Sequence, residues 1–114
     1  MQDNTICQES TKIKINTLYI VEGTIDACAM ATLLKIKNKT QSPIKIITTA
    51  GNPHHSIKSR IEKINPEKIV IATDMDKQGR NFAEIIKSMM NTAICSAPSY
   101  NAKDPAELLL KIKN

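Results

Sequence analysis

The stretch IVIATDMDKQGR, residues 69–80, decides how the chain is read. An apolar, β-branched run leads into Thr73; Asp74 and Asp76 then flank a single methionine, and Gly79 lies at the opening of a helical pattern. A short continuous apolar run of this kind marks a strand buried on both faces, as in a parallel sheet. Two like charges placed together at the end of such a strand repel each other and add nothing evident to the fold. Something positive is therefore expected between them.

The same unit recurs along the chain. TLYIVEG (17–23) ends in Glu22-Gly23, IKIITTAG (44–51) ends in Gly51, and KIVIATDMD (68–76) is followed by Gly79. A shorter run, TAICSA (92–97), closes the series. Helical spacing fills the gaps: Ile25, Cys28, Ala29, Leu33 and Ile36 over 24–37; Ile57, Ile61 and Ile64 over 53–64; Phe82, Ile85, Ile86 and Met89 over 77–90. Asn52 and Pro53 suit an N-cap and first helical position, and Asp104, Pro105 and Glu107 predict the start of a last helix. Strand and helix alternating in this order predict right-handed crossovers and a four-stranded, mainly parallel α/β sheet. In such a sheet the carboxyl ends of the strands share one edge, where ligands bind. All three glycines, Gly23, Gly51 and Gly79, fall at or just beyond that edge.

Composition sets the outer bounds. The chain has 114 residues, enough for one domain with one core. Residues 1–16 read as a polar stub or edge strand and 17–114 as the domain. A net charge of +5 suits a polyanionic partner, DNA or RNA, though its lysines are scattered. Cys7, Cys28 and Cys95 have neither disulfide-framework nor zinc spacing, which fits a reducing cytoplasm. No run approaches the ~18 apolar residues of a membrane span, and the amino terminus is polar where a signal peptide is not. Adjacent helical residues such as His54 and His55 diverge too widely to chelate one ion, so no metal is assigned to them.

With the strands wound in parallel, Glu22, Asp74 and Asp76 are expected at the same edge. Residues i and i+2 of an extended segment point to one side, roughly 6–7 Å apart, a spacing that lets Asp74 and Asp76 share a divalent ion. Oxygen-only ligands select a hard cation such as Mg²⁺, which keeps open positions for phosphate oxygens. Glu22 is either a further metal ligand or a general acid or base. Asp26, one turn into the next helix, either faces the same cleft or is a first-turn acid favoured by the helix dipole. Lys77 and Arg80 flank the aspartates as phosphate-binding candidates.

VEGTIDA (21–27) and ATDMDKQGR (72–80) resemble the two signature motifs of the Toprim domain, shared by bacterial-type primases, type IA and type II topoisomerases, OLD-like nucleases and a recombination mediator. The resemblance spans about residues 17–110 and implies a three-layer, Rossmann-like fold. It implies Glu22 as the catalytic glutamate, Asp74 and Asp76 as the Mg²⁺ pair, with Mn²⁺ as the alternative ion, and Gly23, Asp26 and Gly79 as secondary motif positions. TTAGNP (48–53), with Gly51, is similar to the glycine loop of the primase-like branch; AKDPAELL (102–109), with Asp104 and with Lys103 as a further phosphate-binding candidate, is similar to its late Lys-Asp element. Ala106 stands where that branch often carries asparagine. The implied function is Mg²⁺-dependent nucleotidyl or phosphoryl transfer on nucleic acid, primase-like, with nucleotides and a larger replication or mobilisation protein as partners. The rivals are a Toprim nuclease, a non-catalytic nucleic-acid or protein-binding module, and a phosphoacceptor domain, which a single Glu22 fits poorly.

Overall fold

The computed structural model describes residues 14–37, 42–49, 54–90 and 94–113. Strands β1 (Thr17–Val21), β2 (Ile44–Thr48), β3 (Lys68–Ile71) and β4 (Cys95–Ser96) alternate with helices α1 (Thr24–Ile36), α2 (His54–Ile64), α3 (Lys77–Met89) and α4 (Pro105–Lys113). The strands form one sheet of order β2-β1-β3-β4, parallel at every pairing. Thr17 pairs with Ile44 on one side and Lys68 on the other, so the two central strands start in step. After β2 the chain crosses back over β1 to lay down β3. The switch point of the sheet therefore lies between β1 and β3, where the crevice of an open α/β sheet forms.

Two helical layers cover the sheet. Leu18 and Ile20 of β1, Ile47 of β2, Ile69 and Ile71 of β3 and Cys95 of β4 form one core with Ile57 and Ile61 of α2 and with Ala83 and Ile86 of α3. Alternate strand residues face the other way, towards α1, which buries Ala29, Leu33 and Leu34 and packs along α4. Asn65 ends α2 in the left-handed region (φ 52°), donating its N–H to the Ile61 carbonyl; asparagine tolerates that conformation better than most residues.

The predicted parallel α/β sheet is the observed one. Its strands are shorter than the apolar runs, because β1 and β3 stop before Glu22 and Ala72. The predicted apolar stripe of α1 is wrong in part. Ile25 and Ile36 are 76% and 51% exposed and Cys28 also faces out, since α1 is contacted along the narrower line of Ala29, Leu33 and Leu34. Asp104 caps α4 as expected, accepting the Glu107 N–H at 2.9 Å. The reciprocal bond of Glu107 goes to the N–H of Lys103, one residue earlier than the ideal box. Residues 15 and 16 run beside 67 and 68 without being part of a strand. Cys7 and residues 50–53 of the glycine loop, with Gly51, Asn52 and Pro53, lie outside the described residues.

Candidate metal centre at the switch point

Four segments converge above β1 and β3. Glu22 follows β1 directly, and its Oε2 accepts the backbone N–H of Asp74 at 2.7 Å. That bond ties the ends of the central strands together across the switch point. Thr73, 1% exposed, donates its hydroxyl to the Gly79 carbonyl at 2.8 Å and so binds the loop after β3 to the first turn of α3. Gly79 is required by close approach: a β-carbon there would fall inside contact distance of the Asp74 carbonyl and 2.8 Å from Glu22 Oε2. Gly23, by contrast, is the N-cap of α1 in extended backbone that any residue adopts (φ −127°).

The two aspartates of the D-x-D pattern have different environments. Residues 72–76 do not continue β3. Asp76 is the N-cap of α3, and its Oδ1 accepts the Gly79 N–H at 2.7 Å while the residue stays exposed. Asp74 points into the crevice. Its Oδ1 is buried without a hydrogen-bond partner. An unpartnered buried carboxylate oxygen is costly. Burial, reinforced by the neighbouring charges of Glu22, Asp26, Asp104 and Asp76, pushes the Asp74 carboxyl up to about 6.

Asp26 and Asp104 complete the group. Carboxylate oxygens of Asp26, Asp74 and Asp104 lie within 4.8 Å of one another, the one such set of three acidic ligands among the described residues. Glu22 and Asp76 stand beside this set rather than in it. Asp26 is held by the main chain: Gly23 N–H bonds its carboxylate, and Ala106 N–H of α4 donates to its Oδ1 at 3.4 Å. Even so, burial and the Asp104 charge raise its pKa. Three half-buried carboxylates, one with an orphaned oxygen and no histidine or cysteine among them, form a donor set that fits a hard divalent cation.

The basic candidates separate. Lys103 is exposed, yet close enough for its charge to lower the Asp26 pKa, and its carbonyl accepts the Met75 N–H at 2.6 Å. Arg80 lies on the other side of the loop, in a small cleft with Thr73, Met75, Glu84 and Ser99. Thr73 and Met75 thus line that cleft while Asp74 between them serves the acid cluster. Lys77 is exposed at the start of α3. Tyr100 carries no signal in the sequence, being a lone aromatic in a loop, but its hydroxyl donates to the Thr73 carbonyl at 2.7 Å. Burial and the four surrounding carboxylates, led by Asp74, hold its phenol above the usual range.

Comparison with known proteins gives a consistent picture. A family model described as Toprim-like matches residues 19–109. The fold is similar to the primase fragment of the bacteriophage T7 primase-helicase protein, with a TM-score of 0.61 and 22% identity over 84% of this chain and 39% of that one. It is also similar, at TM-score 0.61 and 16% identity, to a chain in the complex of bacteriophage T7 lagging-strand DNA polymerase with two primase domains bound to an RNA/DNA hybrid and dTTP. That match covers 87% of this chain and 54% of the other. At such identities the likeness is one of fold, and the chain spans only about two-fifths to a half of either neighbour. No curated protein sequence matches.

Proposed function

Because the chain belongs to the Toprim-like family, we propose that it is the Mg²⁺-dependent catalytic module of a cytoplasmic DNA-processing protein, performing primase-like nucleotidyl transfer on a nucleic-acid template. The observation that carries this reading is the buried, unpartnered Asp74 Oδ1 set among Asp26 and Asp104 at the switch point. Asp74, Asp26 and Asp104 would hold the ion, with Asp76 offering its uncapped oxygen from the rim. Mg²⁺ bound there supplies positive charge to phosphate oxygens and to the charge that develops as a phosphoryl group transfers.

The protein's own groups divide the remaining work. Glu22 keeps Asp74 in place through Oε2, and its second oxygen is the proposed acceptor for the proton of an attacking hydroxyl. Lys103, whose charge reaches Asp26, is suited to offset phosphate charge there. Arg80 and Lys77 contact nucleic acid or nucleotide phosphates further along α3. A net charge of +5 supports a polyanionic partner, and the structural neighbours are a primase fragment and a complex that contains primase domains. Among the described residues no helix is long and apolar enough to cross a membrane.

Asp74→Asn in the full-length parent protein should abolish template-directed synthesis from nucleotides with Mg²⁺, while circular dichroism and the unfolding midpoint remain those of a folded domain. Full activity in that variant would overturn the assignment. Cleavage of a labelled duplex by the wild type, without synthesis, would favour the nuclease reading. Absence of any Mg²⁺-induced NMR shift at Asp74 would leave only the binding module.

A further inference from the structure

We infer that Tyr100 is the positioning residue of the acid cluster, a conclusion that rests on reading that cluster as the ion site. Residues 97–104 connect β4 to α4 and run past the 72–76 loop. Hydrogen bonds join the two segments, among them a long one of 3.5 Å from the Tyr100 hydroxyl to the Ala72 carbonyl. The Tyr100 hydroxyl donates to the Thr73 carbonyl at 2.7 Å, and the Met75 N–H donates to the Lys103 carbonyl at 2.6 Å. These bonds bracket Asp74 on the one side and adjoin Asp104 on the other. The distance between the two carboxylates is therefore set by the strap that links their backbones.

The Thr73 carbonyl is the place where this control is exerted. Thr73 is buried and its hydroxyl is already committed to Gly79, so its side chain fixes α3 while its carbonyl fixes the strap. A residue anchored on both sides leaves Asp74 little rotational freedom, and Glu22 takes up the Asp74 N–H as well. Asp74 thus approaches the cluster with its main chain held at three points. Partners that orient a ligand in this way commonly change ion affinity by about 10- to 100-fold when they are removed.

Tyr100→Phe isolates the hydroxyl, since the ring is kept. Two measurements on the same protein separate the possibilities. In chelator, amide hydrogen exchange at Met75 and Asp74 should accelerate roughly five- to tenfold, with the Ile20 and Ile71 amides unchanged. In a Mg²⁺ titration followed by NMR, half-saturation should rise about tenfold, and higher Mg²⁺ should restore the wild-type spectrum. Unchanged exchange, faster exchange at every amide, or faster loop exchange with unaltered Mg²⁺ affinity would each overturn the inference. A wild type that binds no Mg²⁺ would sink the ion-site reading instead, and the exchange rates would then decide alone whether Tyr100 holds the loop.

Discussion

The sheet face beneath α2 and α3 and the rim above β1 and β3 are built on opposite terms. Under the helices, Leu18, Ile20, Ile57, Ile61, Ile69, Ile71 and Ile86 are almost wholly buried, and among the described residues of this core the Cys95 thiol is the only titratable group. At the rim, Glu22, Asp26, Asp74 and Asp104 crowd together, and an Asp74 oxygen lacks any partner. The first region gains free energy from each residue it buries. The second holds its charges only because main-chain donors, a glycine contact and the packed layer beneath keep them there. The core supplies stability, and the rim spends part of it on a site.

The contrast is broken most severely from the core side. Ile71→Ala, directly beneath the switch loop, should cost about 2–5 kcal/mol, a large share of the roughly 5–15 kcal/mol typical of a domain. Urea denaturation would register the loss as a lower midpoint. A midpoint within experimental error of the wild type would mean that the core is not what carries the rim.

Proton linkage at the rim gives a smaller effect of opposite character. The Asp74 carboxyl titrates near 6 when folded, above the ordinary carboxylate value of 3.8. Between those values the folded state binds more protons than the unfolded state, so in chelator stability should fall as pH rises from about 4 to 6 and level off above that. Asp74→Asn should flatten this slope and leave the domain of order 1 kcal/mol more stable at pH 7, the shift being discounted for solvent screening at the open rim. Mg²⁺ should stabilise the wild type at pH 7 and not the variant. Urea midpoints across pH with and without Mg²⁺ would decide it; an identical slope in both proteins would dissociate the shift from Asp74.

The finest distinction lies within the D-x-D pair itself. Asp76→Asn should stay within about 0.5 kcal/mol of wild type, because asparagine caps a helix about as well as aspartate. Asp76→Ala should lose about 1 kcal/mol through the Gly79 N–H. Equal losses in both variants, read from thermal melts, would show that Asp76 matters for its charge and not for its cap.

The fold was legible because its signals are local and repeated. Apolar runs ending at 23, 51 and 76 and the Asp104-Pro105-Glu107 start each state their own element. The acids at positions 22, 26, 74, 76 and 104 could be picked out too, since carboxylates at strand ends and helix starts stand out. Their grouping was less accessible. Asp76 was read as pointing with Asp74 along an extended strand, but β3 ends at Ile71 and the following turn directs Asp76 to its own helix. Whether Asp26 faced the cleft depended on the docking of α1 against α4, a tertiary fact without a periodic signature. Tyr100 was invisible for the same reason: a single hydroxyl bond to a distant carbonyl leaves no pattern in the sequence.

Asp26 lies near the start of the described chain and Asp104 near its end, and they meet only where α4 lies along α1. The proposed ligand set therefore does not exist in partly folded chains, where the last helix has yet to dock. An ion that recognises all three carboxylates binds the finished molecule alone and draws the folding equilibrium towards it by mass action. Because long-range closure precedes the reward, added Mg²⁺ should slow unfolding far more than it hastens refolding, making ion occupancy a report on whether the chain has been completed.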